Sequence, residues 1–239
     1  MARDQFAEVR SQLASIGRRF YTRGWALGTS GNFSAVVSRQ PLKLAITASS
    51  VPKGRLSPAD ILTCGEDGEV LGLAAKRSSK ARSRSAVRRP SDPRRPSAET
   101  LLHLEIARRR DVGAVLHTHS VWTTILSDLY AADGGFDISG FEMLKGLNGV
   151  RSHEHREWIP IIENDQDMPR LARRVGTTLD KFRNAHAFLL SRHGLYTWGE
   201  TLDEAERHVE ILEFLFETIG RTKQVQGFNG SKVQGFRGP

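Results

Sequence analysis

Two short apolar runs in this chain end in histidine, and that pattern constrains where its strands can lie. Val112-Gly113-Ala114-Val115-Leu116 leads into His117-Thr118-His119, and Ala187-Phe188-Leu189-Leu190 leads into Ser191-Arg192-His193-Gly194. In an extended chain, residues two apart project from the same face. His117 and His119 would then point the same way, as a divalent ion requires when its nitrogen ligands converge at about 2.0–2.1 Å. His193, at the end of the second strand, would complete a trio and leave one coordination position open for substrate, the mark of a catalytic site.

The elements around these runs follow from periodicity. Phe6, Val9, Leu13, Ile16 and Phe20 recur at three- and four-residue steps and predict an amphipathic helix ending near Gly24. Residues 33–37 and 43–47 read as strands separated by a turn at Pro41, and Ser57-Pro58 reads as a helix start. A strand is expected at 69–73, helices at 96–110, 121–130 and 168–182, and strands at 158–162 and 195–198. Thr201-Leu202-Asp203-Glu204 is a capping box for an apolar helix reaching Gly220. Strands alternate irregularly with helices, which fits one α/β domain of three layers, α/β/α, over a mixed or mostly antiparallel sheet. The expected boundaries are a single domain over 1–220, interrupted by a basic, disordered insertion at 74–95, and a flexible C-terminal tail at 221–239.

The formal charge of +8 points toward a nucleic-acid partner until its location is considered. Between Lys76 and Arg95 stand nine basic residues and one acid, so this stretch accounts for the whole excess. It is rich in Ser, Arg and Pro and lacks the aromatic residues that base stacking would use, so no specific nucleic-acid partner is expected. With 38% hydrophobic and 26% charged residues, the composition is that of a soluble globular chain. No apolar run is long enough to span a bilayer, no secretory signal opens the sequence, and Cys64 stands alone. A cytoplasmic protein with no membrane partner is the expectation.

Three small-residue corners could receive an anion. Gly28-Thr29-Ser30-Gly31-Asn32 lets backbone N–H groups approach closely, although it matches neither the P-loop nor the dinucleotide fingerprint. Thr47-Ala48-Ser49-Ser50 is followed by Lys53, a cation available to phosphate, and Pro96-Ser97-Ala98-Glu99 opens a helix. Each alone is equally a cap or a turn; together, beside a metal constellation, they favour a phosphorylated substrate. Among carboxylates, Glu99 would be stabilised at its helix start whatever else it does. Glu142, among apolar neighbours in a glycine-bounded segment, would have a raised pKa if buried. Read without analogy, both are ordinary structural residues. His153 and His155 form a rival pair in polar surroundings, where a solvated loop is the plainer reading; His103 could orient Glu99 or simply fill space.

Taken in order, Gly28-Thr29-Ser30-Gly31-Asn32, Ile46-Thr47-Ala48-Ser49-Ser50, Pro96-Ser97-Ala98-Glu99, His117-Thr118-His119 and Arg192-His193-Gly194 resemble the class II aldolase/epimerase/dehydratase superfamily over nearly all of residues 5–220. Segments 152–156, 159–169 and 192–199 are most similar to its dehydratase branch. The resemblance implies a class II aldolase-like fold, one Zn2+ per subunit on His117, His119 and His193, and a homotetramer acting on a small sugar phosphate. It implies phosphate binding by Gly31, Asn32, Ser49, Ser50 and Ser97. Glu142 corresponds to the acid/base of dehydratase relatives and Glu99 to the aldolase carboxylate, so Glu142 is taken for the proton transfer and Glu99 as its auxiliary. Aldol cleavage, 4-epimerisation and a non-catalytic zinc protein are the alternatives. Two departures stand out: the basic stretch fills the family's insertion point, and Ser50 stands where relatives often carry glycine.

Overall fold

The structure is a computed structural model that describes the backbone of residues 3–71 and 94–234, with side chains for 4–71 and 94–225. Helices α1 (Arg3–Thr22), α2 (Thr100–Arg110), α3 (Val121–Leu129), α4 (Met168–Lys181) and α5 (Leu202–Gln234) surround eight strands. These are β1 (Asn32–Arg39), β2 (Leu42–Thr47), β3 (Ile61–Cys64), β4 (Ala114–Thr118), β5 (Gly135–Ile138), β6 (Glu157–Ile162), β7 (Ala187–Leu190) and β8 (Gly194–Gly199). They form one sheet in the order β3-β2-β1-β4-β8-β7-β6-β5. Every neighbouring pair is antiparallel except β6 and β7. The expected mixed, largely antiparallel sheet is therefore present.

Alternation along β4 assigns the two faces. Ala114 and Leu116 are buried with Leu13, Ile16 and Phe20 of α1 and with Ala205 and Val209 of α5. Val115 points the other way, into a core built from Leu102 and Ile106 of α2, Leu171 and Val175 of α4, and Tyr196 and Trp198 of β8. Complete burial of an aliphatic chain such as Leu116 is worth about 1.5–3 kcal/mol, and truncation to alanine would cost roughly 2–5. By the same two-residue period, His117 and His119 emerge on the α2/α4 side. Side-chain caps set where the next helices begin: Ser120 accepts from the Thr123 amide at 3.1 Å, and Asp167 accepts from the Arg170 amide at 2.9 Å.

Four expectations change. The Ser57-Pro58 helix start yields only one 3-10 turn, Pro58–Asp60. The Asp60 carboxylate accepts from both the Ser57 amide and its hydroxyl, closing the turn, and Ile61 then pairs with Thr47 as β3. The segment 135–138 forms an edge strand that no periodicity announced. Of the strand expected at 69–73, Val70 makes an isolated bridge to Cys64, while residues 72 and 73 lie outside the described residues with most of the basic insertion. Helix α5 also continues past Gly220 to Gln234. That glycine does not cap the helix: a Cβ on it would stand 2.2 Å from the Trp122 ring, so it is there to let α3 and α5 approach.

Candidate active site

The sheet brings the trio together. Strand β4 ends at His117 and His119; β7 ends at the corner that carries His193 and turns directly into β8. The His117–His119, His117–His193 and His119–His193 ring centroids are 4.5, 5.0 and 4.5 Å apart. Two backbone features hold this geometry. Arg192 adopts a left-handed φ of 53°, with its amide donating to Ser127 Oγ at 2.9 Å. Gly194 lies so close to β4 that a Cβ would stand 2.0 Å from the Thr118 carbonyl oxygen and 3.1 Å from His117 Cε1.

The hydrogen bonds assign the tautomer of His117. Its Nδ1–H donates to the Leu195 carbonyl at 2.8 Å, leaving the Nε2 lone pair facing His119 Nε2 at 2.7 Å. Burial holds all three imidazoles below the usual histidine range; at His117 the charge of His193 adds to it, while at His193 the Glu99 carboxylate opposes it. Neutral rings with converging lone pairs are what a divalent ion requires. The buried His193 Nδ1 has no protein partner among the described residues. The donor set therefore fits a metal ion.

Glu99, the N-cap residue of α2, lies beside this trio, with Oε2 3.4 Å from His117 Nε2 and Oε1 3.2 Å from His193 Nε2. A buried relay fixes its carboxylate. Asn32 Nδ2 donates to Glu99 Oε2 at 2.5 Å and to Ser97 Oγ at 3.0 Å. The Asn32 Oδ1 in turn accepts from His103 Nε2, and Ser34 donates to His103 Nδ1 at 2.7 Å. Burial pulls the His103 pKa down to about 4, which keeps the ring in the neutral form this relay needs. His103 thus orients Glu99 through Asn32.

A cavity of about 250 Å3 opens over His119, His193 and Glu99, and its other walls include all five expected phosphate residues: Gly31, Asn32, Ser49, Ser50 and Ser97. Ser50 keeps the backbone path of a glycine, with φ at 61°. Gly31, at φ 75°, lets the loop pass close to the end of β4, where a Cβ would meet the His117 carbonyl oxygen at 2.7 Å. Lys53 reaches the same cavity. Its side chain is 1% exposed and Nζ donates to the Thr29 and Val51 carbonyls at 2.9 and 3.2 Å, with burial pulling its pKa down to about 8. The loop after β6 supplies Asn164 and Gln166 to the rim, and the start of α4 supplies Met168, residues the sequence marked only as part of the 159–169 stretch.

Glu142 is placed otherwise than expected. It opens the 3-10 turn Glu142–Gly146, whose buried member is Leu144, so the carboxylate faces solvent and is 73% exposed. A hydrogen bond from Lys145 holds its pKa below the usual carboxylate range instead of raising it. It does not line the cavity of its own chain. The rival pair separates: His153 is exposed near Glu142, while His155 turns to Glu157. Tyr196, fully buried, belongs to the core beneath His117 and not to the cavity wall.

Comparisons with known proteins match this architecture. The profile of the family described as "Class II Aldolase and Adducin N-terminal domain" covers residues 11–219. The chain is 40% identical over 223 residues to the methylthioribulose-1-phosphate dehydratase of Methylococcus capsulatus, covering 93% of this chain and 98% of that one. It is 38% identical to the enzyme of the same name from Sorangium cellulosum, covering 89% and 91%. Among solved structures, Escherichia coli YgbL superposes with a TM-score of 0.67 at 27% identity, covering 90% and 89%. An L-fuculose-1-phosphate aldolase from Thermus thermophilus superposes with a TM-score of 0.67 at 21% identity, covering 95% and 99%, a likeness of fold alone.

Proposed function

Because the chain belongs to the class II aldolase and adducin N-terminal domain family, we propose that it is a zinc-dependent hydro-lyase. In this reading it dehydrates 5-methylthioribulose 1-phosphate to 2,3-diketo-5-methylthiopentyl 1-phosphate, a step of methionine salvage. Full-length relatives at 36–40% identity that carry the dehydratase name support the substrate. One observation carries the chemistry: of three converging neutral imidazoles, His119 and His193 open with the positioned Glu99 carboxylate onto a cavity whose other walls include a cradle of small residues.

The roles follow from position. Gly31, Ser49, Ser50 and Ser97 would hold the phosphate, with Lys53 as the cation behind it, anchoring the reacting carbons over the trio. His117, His119 and His193 would hold the ion, which supplies Lewis-acid polarisation of the substrate's keto and hydroxyl oxygens. Among the described residues Glu99 is the carboxylate that lines the cavity; it would take the C3 proton and return it as the C4 hydroxyl leaves as water, after which the enol ketonises. Asn32 keeps it aimed. Glu142 could serve the same role only if a neighbouring copy, as in the homotetramer the resemblance implies, presented it to this cavity.

The test is a product assay with metal content followed in parallel. The protein should convert methylthioribulose phosphate, stop when chelated and recover with zinc, while fuculose and ribulose phosphates stay intact. His119→Ala should abolish turnover. Aldol cleavage of fuculose phosphate, or full activity in that variant, would overturn the assignment.

A further inference from the structure

We propose a second divalent-cation site, made by His155, Glu157 and His186 at the end of the sheet away from the trio. Among the described residues, two groups of three potential donors lie with all ligand atoms within 4.8 Å of one another, and this is the second. Strands β6 and β7 run parallel, so Glu157 and His186 sit at their starting ends while Asn164 and His193 follow their finishing ends. At about 3.3 Å per residue, the six residues of β6 put roughly 20 Å between the two clusters.

The local geometry is that of a ligand set whose outer atoms are already tied down. Glu157 Oε2 lies 2.8 Å from His155 Nε2 and 2.9 Å from His186 Nδ1. The other atoms of Glu157 and His186 are occupied. Glu157 Oε1 accepts from the His186 amide at 2.8 Å, and His186 Nε2–H donates to the Asn148 carbonyl at 2.8 Å. Metal-bound histidines characteristically give their remaining N–H to a carbonyl in this way. Without an ion, His186 Nδ1 also donates to Glu157, which against the pull of burial holds the ring's pKa above the usual range, so a bound ion would displace the Nδ1 proton. Two imidazoles and one carboxylate form a donor set suited to zinc. Tetrahedral ligands at about 2.1 Å lie roughly 3.4 Å apart, so each imidazole nitrogen need move about half an ångström outward from Oε2 to admit an ion.

Access and purpose also fit. His155 is 31% exposed, whereas the Glu157 side chain is 1% exposed. His155 and His186 line a cavity of about 560 Å3, and Glu157 opens onto a neighbouring one of about 310 Å3, so a water can fill the fourth position. An ion here would clamp the 148–156 loop, through His155 and the Asn148 carbonyl, onto the starts of β6 and β7. This site is independent of the reaction proposed above, and its test does not read activity.

The experiment is a Zn2+ titration of the metal-free full chain, followed by calorimetry and elemental analysis. The wild-type chain should take up two ions, and His155→Ala should take up one, with affinity at the second site falling at least about tenfold. His155 is partly exposed in a turn, so its replacement should leave the fold intact. The reciprocal measurement disables the trio with His119→Ala and His193→Ala. That chain should still bind one Co2+ with a visible absorption band, and adding His155→Ala should remove it. A wild-type chain that saturates at one ion, or a His155→Ala chain that still binds two, would overturn the proposal and leave the cluster as a hydrogen-bonded ion network.

Discussion

The imidazole of His117 lies flat on the phenol of Tyr196, with centroids 3.9 Å apart and planes 13° from parallel. Phe188 stacks on the far side of the same phenol at 5.0 Å, so His117 is the top member of a three-ring column rooted in the core. The Tyr196 hydroxyl is buried with no well-formed hydrogen bond among the described residues, and burial together with the nearby Glu99 carboxylate pushes its pKa up. Tyr196→Phe should therefore keep the column and fold at least as stably, gaining up to about 1 kcal/mol from loss of an unsatisfied group. Tyr196→Ala should cost roughly 3–5 kcal/mol and weaken metal retention together with turnover. Thermal denaturation and metal content of the two variants check both outcomes.

Gly194 offers a sharper test of trio geometry. Its added Cβ would fall 2.0 Å from the Thr118 carbonyl, a backbone atom that cannot swing aside. Gly194→Ala should force β8 away from β4 between His117 and His193. Metal affinity and turnover should fall by at least about 100-fold, a loss of roughly 3 kcal/mol or more, with helix content preserved by circular dichroism. Unchanged zinc affinity would show that the corner has slack.

If the cavity receives phosphate as proposed, Lys53 should tie its affinity to pH. Burial pulls its ammonium down to about 8, so the free cavity loses this positive charge as pH rises through that value. A bound phosphate would favour the charged form. Competitive inhibition by inorganic phosphate should thus weaken above about pH 8. In Lys53→Met, inhibition should be about 10–100-fold weaker and this pH step should be absent, since a hydrogen bond to a charged group is worth about 1.5–3 kcal/mol.

Glu213 supplies a stability signature with the opposite chemistry. Its carboxyl is 2% exposed, accepts from the Thr118 hydroxyl at 2.8 Å, and is pushed up to about 7 by burial. The folded chain keeps this proton while the unfolded chain releases it near 4.5, so the folded state loses stability as pH rises between those values. Glu213→Gln should flatten that slope and raise the melting temperature at about pH 8, the full effect being of order 3 kcal/mol. Melting curves of both proteins across this range give the difference directly.

The convergence of the trio was legible because a two-residue spacing at a strand end leaves only one geometry, and the cavity-lining corners because small residues clustered at element boundaries. Glu142 was misread for a specific reason. Phe141, Met143 and Leu144 suggested a buried segment, but a 3-10 turn repeats every three residues, so Glu142 and Lys145 share its outer side and Leu144 goes inward. Strands β3 and β5 have four residues each and lie at the two edges of the sheet, too short for an alternation to stand out. Gly220 looked like a terminator, yet it answers to Trp122, a neighbour 98 positions away that no local pattern could name. Glu157 drew no attention because one carboxylate beside one histidine is commonplace until β7 arrives with His186.

The parallel run of β6 beside β7 has a consequence for how this scaffold can change. Both strands release their following segments at the same rim, but only the β7 corner is committed to His193. The β6 segment, with Asn164 and Gln166 exposed and Met168 half-covered, touches the cavity from outside the hydrogen-bonded ladder. Substitution in that stretch can therefore reshape the rim of the cavity while the imidazole trio and the small-residue corners stay in place.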